Sequence, residues 1–240
     1  MKKLGIDVSS HQKNIDWNKV KNNIEFAILR AGYGREVSQR DDFFEENYRK
    51  CKENNIPCGA YWYSYATTKQ DALKEADVCL EVIKNKKFEY PIYFDIEDSS
   101  QSSLGREKIS EISETFCKRL EEAGYWTGIY SYKSFLESNL TEEIRNRYAV
   151  WIAHTGVEKT NYSGQYGIWQ FSHTGHIDGI NGDVDCNYCY TDYLELVRTA
   201  GLNGYKKSDM DKQPEIIPKK SKNITLTVDG ITYSGVLTEI

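Results

Sequence analysis

No stretch of this chain approaches the ~18 consecutive apolar residues of a membrane-crossing helix, so no membrane partner is expected. The basic start, Met1-Lys2-Lys3, runs into Leu4-Gly5-Ile6-Asp7 and not into an apolar core, so a signal peptide is not expected. Charge of one sign is scarce as well. The 31 basic and 36 acidic residues leave a net charge of −5, which gives no nucleic-acid footprint. Histidine is rare, and His11, His154, His173 and His176 lack the spacing of a helical metal site. Cys186-Asn-Tyr-Cys189 has metal-like spacing but no second pair, so neither metal nor cofactor is expected. Cys79 and Cys117 fall on apolar faces of predicted helices and read as buried thiols. Gly32-Tyr-Gly34 lacks the third glycine and the lysine of a phosphate loop. Ser9-Ser10-His11 is not the elbow of a serine hydrolase, because neighbours this close need not face each other.

The 240 residues suit one large domain with a small tail, and 39% hydrophobic content supplies a sizeable core. Eight β-rich apolar runs recur, at 4–8, 26–30, 58–65, 91–96, 127–130, 149–153, 167–171 and, weakly, 183–186. Several lack strict polar alternation, which predicts strands covered on both faces, as in parallel sheets. Helical patterns lie between them. Asp16 is placed to cap a helix over 17–22, and further helices are predicted over 41–54, 70–85, 106–123 and 193–199, with one or two short ones in 134–147. Strand–helix alternation at this length predicts a β/α barrel. The segment 150–185 carries three strand signals and no good helix, so the barrel is expected to be irregular and TIM-like, with eight strands and fewer helices. Residues 1–205 form that catalytic barrel in this reading. The Lys/Asp/Pro-rich stretch 206–222 reads as a linker, and 223–240 alternates around Asp229-Gly230 as a hairpin. Such a hairpin offers an exposed edge for self-association or for binding a partner.

The run Tyr90-Pro-Ile-Tyr-Phe-Asp-Ile-Glu97 reads as a strand that ends in two acids. Residues two apart share a face, so Asp95 and Glu97 point the same way, about 6–7 Å apart. Repulsion between them raises at least one pKa, which is what a general acid at neutral pH requires. In a barrel, strand C-termini converge on one mouth. Asp7 at the end of the first strand, Asp95 and Glu97 on the fourth, and Asp183 and Asp185 on the last would meet there. The ordinary alternative is that each caps a helix or is solvated. Tyr61 and Tyr63 share a face of the third strand, Trp62 faces away as a core filler, and Tyr130, Tyr132, Trp151 and Trp169 lie near strand ends. An acid cluster ringed by aromatics suggests a glycosidase cleft.

Five segments carry a more specific likeness: Gly5-Ile-Asp-Val-Ser-Ser-His-Gln12, Ala27-Ile-Leu-Arg-Ala-Gly-Tyr-Gly34, Gly59-Ala-Tyr-Trp-Tyr-Ser-Tyr65, Tyr93-Phe-Asp-Ile-Glu97 and Gly182-Asp-Val-Asp-Cys-Asn187. In order, over roughly residues 1–200, they resemble glycoside hydrolase family 25, N-acetylmuramidases with an irregular β/α barrel. The resemblance implies that Glu97 is the general acid and that Asp95 orients the substrate acetamide. It implies that Asp7 and Asp185 are the other cleft acids, with Asp183 left to a loop or capping role. Tyr61, Tyr63, Tyr130 and Trp169 would line sugar subsites. Arg30 would stand at the mouth, ion-paired to an acid, and His11 would line the mouth. The implied partner is bacterial peptidoglycan, cut at the β-1,4 bond between N-acetylmuramic acid and N-acetylglucosamine. The linker, the tail and the missing export signal resemble a bacteriophage endolysin, made in the host cytoplasm and released to the wall through a holin. The alternatives weighed are a chitinase-like N-acetylglucosaminidase and a non-catalytic wall-binding module.

Overall fold

The computed structural model describes residues 2–207, 221–228 and 231–238. Eight strands close a barrel in chain order: β1 (Lys3–Val8), β2 (Phe26–Tyr33), β3 (Cys58–Tyr63), β4 (Ile92–Asp95), β5 (Thr127–Tyr132), β6 (Ala149–Ala153), β7 (Ile168–Gly175) and β8 (Val184–Cys189). The helices among the described residues are α1 (Trp17–Val20), α2 (Phe44–Glu53), α3 (Lys69–Ile83), α4 (Arg106–Glu122), α5 (Lys133–Asn139), α6 (Glu142–Arg147) and α7 (Tyr193–Ala200). This is the irregular TIM-like α/β barrel that the alternation of patterns predicts. No α-helix separates β6 from β7, or β7 from β8.

The departure from a parallel barrel lies in the last strand. Neighbours from β1 to β7 pair in parallel, but β8 is antiparallel to both β7 and β1. The expectation that every strand brings its C-terminal end to the mouth is therefore corrected. β8 brings its beginning there, which is why the acid near its start still faces Asp7 across the seam. An antiparallel return needs only a loop, whereas a parallel one needs a crossover of a dozen residues or more. That accounts for the missing helix between β7 and β8, whereas the parallel step from β6 to β7 is made by the helix-free stretch 154–167.

Alternation along each strand sorts the side chains into two layers. Phe26, Ile28, Tyr90, Tyr93, Trp151, Ile168, Cys189 and Tyr193 form one buried cluster, which fills the barrel. Ile6, Val8, Ala60, Trp62, Phe94 and Ile129 belong to the other, between strands and helices. Trp62 is the core filler the alternation predicts, and its indole Nε1 donates to the Gly34 carbonyl at 3.0 Å. Interior aromatics need room on the facing strands. A Cβ on Gly128 would lie 2.4 Å from the Tyr93 ring and 2.5 Å from the Ala149 carbonyl, and one on Gly5 would lie 2.4 Å from Phe26.

The helices follow their local signals. Asp16 caps α1 by accepting from the Asn18 amide, Thr68 caps α3 by accepting from Asp71, and Gly201 ends α7 at φ 70°. Ile109, Ile112, Phe116 and Leu120 form the buried stripe of α4. The region 134–147 gives two helices, α5 and α6. After α7, Asn203 closes the bottom of the barrel. Its side chain donates to the Tyr90 carbonyl at 2.8 Å and accepts from the Trp126 amide at 2.7 Å.

Two further strands, β9 (Ser221–Val228) and β10 (Ile231–Thr238), pair antiparallel in register from Ile231 opposite Val228 to Thr238 opposite Ser221. β9 starts within the stretch 206–222 read as a linker. Residues 208–220 of that stretch, and residues 229–230, where the sequence pattern places a turn, lie outside the described residues.

Candidate active site

The mouth of the barrel gathers four carboxyl groups. Asp7, on the inner face of β1, is Cα-paired with Asp185 at the start of β8. Its Oδ2 accepts from Gln170 Nε2 at 2.9 Å and from Asn187 Nδ2 at 2.7 Å. Asp95 ends β4 with only 3% of its surface exposed, and its Oδ1 has no hydrogen-bond partner. Glu97 follows two residues later, partly buried at the rim.

Burial governs the charge state of this cluster. Desolvation comes first for every member, since an ion loses its hydration shell at such a site. It holds Asp7 well above the usual carboxylate range, with the Asp185 charge adding to the effect. Asp185 is also raised by burial, against hydrogen bonding with Asp7 and the nearby His173 and His11. Asp95 is held high by burial, then by Glu97 and Asp7, with the Arg30 charge opposing. Burial, reinforced by Asp185, pushes Glu97 up to about 7. At neutral pH the cluster therefore does not carry four negative charges, and Glu97 sits where it can both hold and release a proton.

The segment that carries Glu97 is tied down behind the site. Asp98 caps a 3-10 turn at Ser99–Gln101 by accepting from the Ser100 amide, and it also accepts from the Tyr63 hydroxyl at 3.3 Å. Gln101 is fully buried. Its Oε1 accepts from the Asp98 amide, and its Nε2 donates to the Ser64 carbonyl at 3.2 Å, Ser64 Oγ at 3.3 Å and the Ala66 carbonyl at 3.1 Å. The loop after β4 is thus clamped to the end of β3.

The aromatic and basic residues singled out from the sequence do not all converge. Tyr61 lies under the acids, edge-on to Trp151 at 5.9 Å, and Asp7 and Asp95 add to the burial that raises its phenol. The Tyr130 ring packs 4.3 Å from Trp151, and its hydroxyl donates to Gln170 Oε1 at 2.9 Å. Tyr63 reaches Asp98, as above. Trp169 stands elsewhere. Gln170 points inward to Asp7, so Trp169 next to it on β7 points outward. There it is 5% exposed, packs near Phe171 and Tyr188, and donates its indole N–H to the His154 carbonyl at 2.9 Å. This position belongs to the outer packing layer and does not face the acids.

Arg30 is ion-paired, but to Asp41 and not to a cluster acid. Its Nε donates to Asp41 Oδ2 at 2.7 Å, and its Nη2 donates to Ser10 Oγ at 2.8 Å. Its charge still lowers the Asp95 pKa. His11 is exposed at the rim, with Nε2 3.5 Å from Arg30 Nη1. Asp183 sits in the exposed loop before β8, near His176. Cys186 and Cys189 belong to different layers, outer and inner, so their spacing does not bring the two thiols together. All six cysteines are buried free thiols. Among the described residues, no group of three or more His, Cys, Asp or Glu is placed to hold a metal ion.

The sequence reading missed Gln170, Asn187 and Asp41. The first two are neutral amides that fix Asp7, and Asn187 also accepts from Trp151 Nε1 at 2.8 Å. Asn187 closes one of the five quoted segments, the only signal that could have marked it. Beside Glu97 a cleft of about 480 Å³ opens over the ends of β5, β6 and β7, lined by Tyr130, Tyr132, His154, Gln170 and His173. Its size suits one or two sugar rings, and its rim holds a carboxyl group that is protonated part of the time at pH 7.

The sequence model of glycosyl hydrolases family 25 matches residues 6–180, a span that includes Asp7, Asp95 and Glu97 and stops short of Asp185. The uncharacterized protein YegX of Escherichia coli (strain K12) is 30% identical over 214 residues, covering 85% of this chain and 75% of that protein. The autolytic lysozyme of Clostridium acetobutylicum is 28% identical over 182 residues, covering 75% of this chain and 54% of that enzyme. Among solved structures, the bacterial lysozyme from Streptomyces coelicolor superimposes with a TM-score of 0.70 at 27% identity, over 82% of this chain and 96% of that one.

Proposed function

Since the chain belongs to the glycosyl hydrolases of family 25, we propose that it is a lysozyme that hydrolyses the β-1,4 bond between N-acetylmuramic acid and N-acetylglucosamine in bacterial peptidoglycan. The observation that carries this reading is Glu97, a rim carboxyl pushed up to about 7 by burial and by Asp185. In this role Glu97 protonates the departing glycosidic oxygen. Asp95, buried beside it, faces the substrate acetamide and directs the acetamide oxygen toward the anomeric carbon, so the sugar's own N-acetyl group is the nucleophile and configuration is retained. Asp7 and Asp185 hold negative charge and a proton across the seam, close to where the oxocarbenium-like transition state becomes positive. Tyr61, Tyr63 and Tyr130 give the sugars flat apolar surfaces. Lysozymes among the relatives support the substrate assignment.

The test is Glu97→Gln, which keeps the side-chain shape and removes the proton donor. General acid catalysis contributes about 10²–10⁴-fold, so wall lysis should fall by at least about a hundredfold. Lysis by purified Glu97→Gln at the wild-type rate overturns the assignment. Borohydride reduction of the new reducing ends reports the bond: muramitol supports it, and glucosaminitol points to an N-acetylglucosaminidase. NMR of the freshly released anomer reports the stereochemistry.

A further inference from the structure

The end of the barrel opposite the acids holds a second cavity, of about 660 Å³. It is formed by the beginnings of β5, β6 and β7, by the segment after β8, and by the C-terminal ends of α4 and α6. Its walls combine three chemistries. Tyr125, Trp126 and Tyr166 present partly exposed rings. Gln165 and Asn146 present amides at its edge. Arg145 and Arg147 bring two guanidinium groups against one acid, Glu121, which is already taken by Arg147 at 2.7 Å. Arg145 is not satisfied in the same way. Its Nη1 lies 3.4 Å from the Tyr162 hydroxyl, and its Nε is buried with no hydrogen-bond partner.

The tryptophans sharpen this picture. Trp17, Trp62, Trp151 and Trp169 are all buried, at 5% exposure or less. Trp126 alone of the five keeps an accessible ring, and that ring lies in this cavity. Leaving an indole and two phenols open to water is unfavourable unless something covers them, because apolar area gains free energy when removed from water. Flat rings with amides at their rim fit the alternating apolar and hydroxylated faces of a pyranose. Arg145 lines this cavity with no salt bridge among the described residues, and the two outer nitrogens of a guanidinium can hold a carboxylate through parallel hydrogen bonds.

We propose that this cavity is a second, non-catalytic binding site for a carboxylate-bearing saccharide, with Trp126 and Tyr166 as the stacking surfaces and Arg145 as the anion partner. Its natural occupant, resting on the reading above, is a muropeptide unit of the wall. Such a site holds the barrel on an insoluble polymer while the opposite mouth turns over.

The test titrates the full chain with N-acetylmuramyl dipeptide while following tryptophan fluorescence, with neutral chitobiose as comparison. A saturating signal is expected, lost for the most part in Trp126→Phe. Loss of the charge-assisted pair predicts about tenfold weaker binding in Arg145→Ala and for chitobiose. Arg145→Lys, which keeps the charge and loses the fork, should fall between the two and guards against a folding defect. Arg145→Ala should also slow the lysis of intact walls more than the hydrolysis of a soluble oligosaccharide. No saturable signal, a signal that survives Trp126→Phe, or equal affinity for chitobiose overturns the proposal. Because Glu97→Gln should leave this titration unchanged, failure here is distinct from failure of the catalytic assignment.

Discussion

Glu97 links pH to both chemistry and stability. In the proton-donor role proposed for it, Glu97 works only when protonated, so the rate should fall as pH rises through about 7, its folded value. The linkage to folding has the same direction. Its ordinary value is 4.5, below the folded one, so the folded state binds the proton more tightly. The stability this contributes is fully present below about pH 4.5 and is lost as pH rises through about 7. Glu97→Gln should therefore melt higher than the wild type at pH 8, and the two should converge near pH 4. Each kcal/mol relieved is worth about 2–4 °C in a chain of this size. Calorimetry at both pH values decides, and equal melting points at pH 8 would show that the folded site does not resist the charge. At this scale the acid pair was conspicuous because two charges stand close together at the end of an apolar run, although β4 stops at Asp95 and Glu97 lies just beyond the strand that was expected to carry both. The amides that hold Asp7 were not, because Gln170 and Asn187 are uncharged and lie 163 and 180 residues away from it. Trp169 misled because an aromatic near a strand end looks alike on either face. The inward orientation of Gln170 settles its side.

At the scale of elements, the loop between β4 and the 3-10 turn at Ser99–Gln101 is held by Asp98 and by the buried side chain of Gln101. Gln101→Ala leaves the Ser64 and Ala66 carbonyls without their donor, at about 1–3 kcal/mol for a buried group left unpaired. Because the same clamp holds Glu97 at the rim, kcat should drop several-fold while KM moves little. A change confined to KM would place Gln101 outside the positioning of the acid. All eight strands were legible, since their apolar runs are bounded by turns and helical patterns. The direction of β8 was not, because hydrophobic pattern records which residues are covered and is silent on strand polarity. Only the short, helix-free connection before it hints at an antiparallel return, and sequence analysis reads that stretch simply as irregular.

For the whole molecule, the barrel's last described contacts come after α7. Asn203 ties the chain to Tyr90 and Trp126, its carbonyl accepts from the Phe88 amide at 3.1 Å, and the Tyr205 hydroxyl bonds to Glu89. A chain cut after Lys207 retains all of these and should keep its melting temperature and its activity on soluble substrate. One cut before Leu202 loses them and should melt several degrees lower. Sedimentation and wall-binding assays on the longer product also test the hairpin's expected role: unchanged mass and unchanged wall binding remove it.

The seam between β1 and β8 has a further consequence, for the order in which the molecule becomes itself. Contacts between the two ends of a long chain carry a large loop-closure entropy and form late, whereas the β7–β8 hairpin is local and can form early. Asp7 meets Asp185, Gln170 and Asn187 only once that seam has zipped. A nascent or half-folded chain already carries Asp95 and Glu97, yet it lacks the opposing half of the carboxylate cluster. The complete carboxylate cluster is then a property of the finished barrel, and the proposed activity should appear only once β1 has paired with β8.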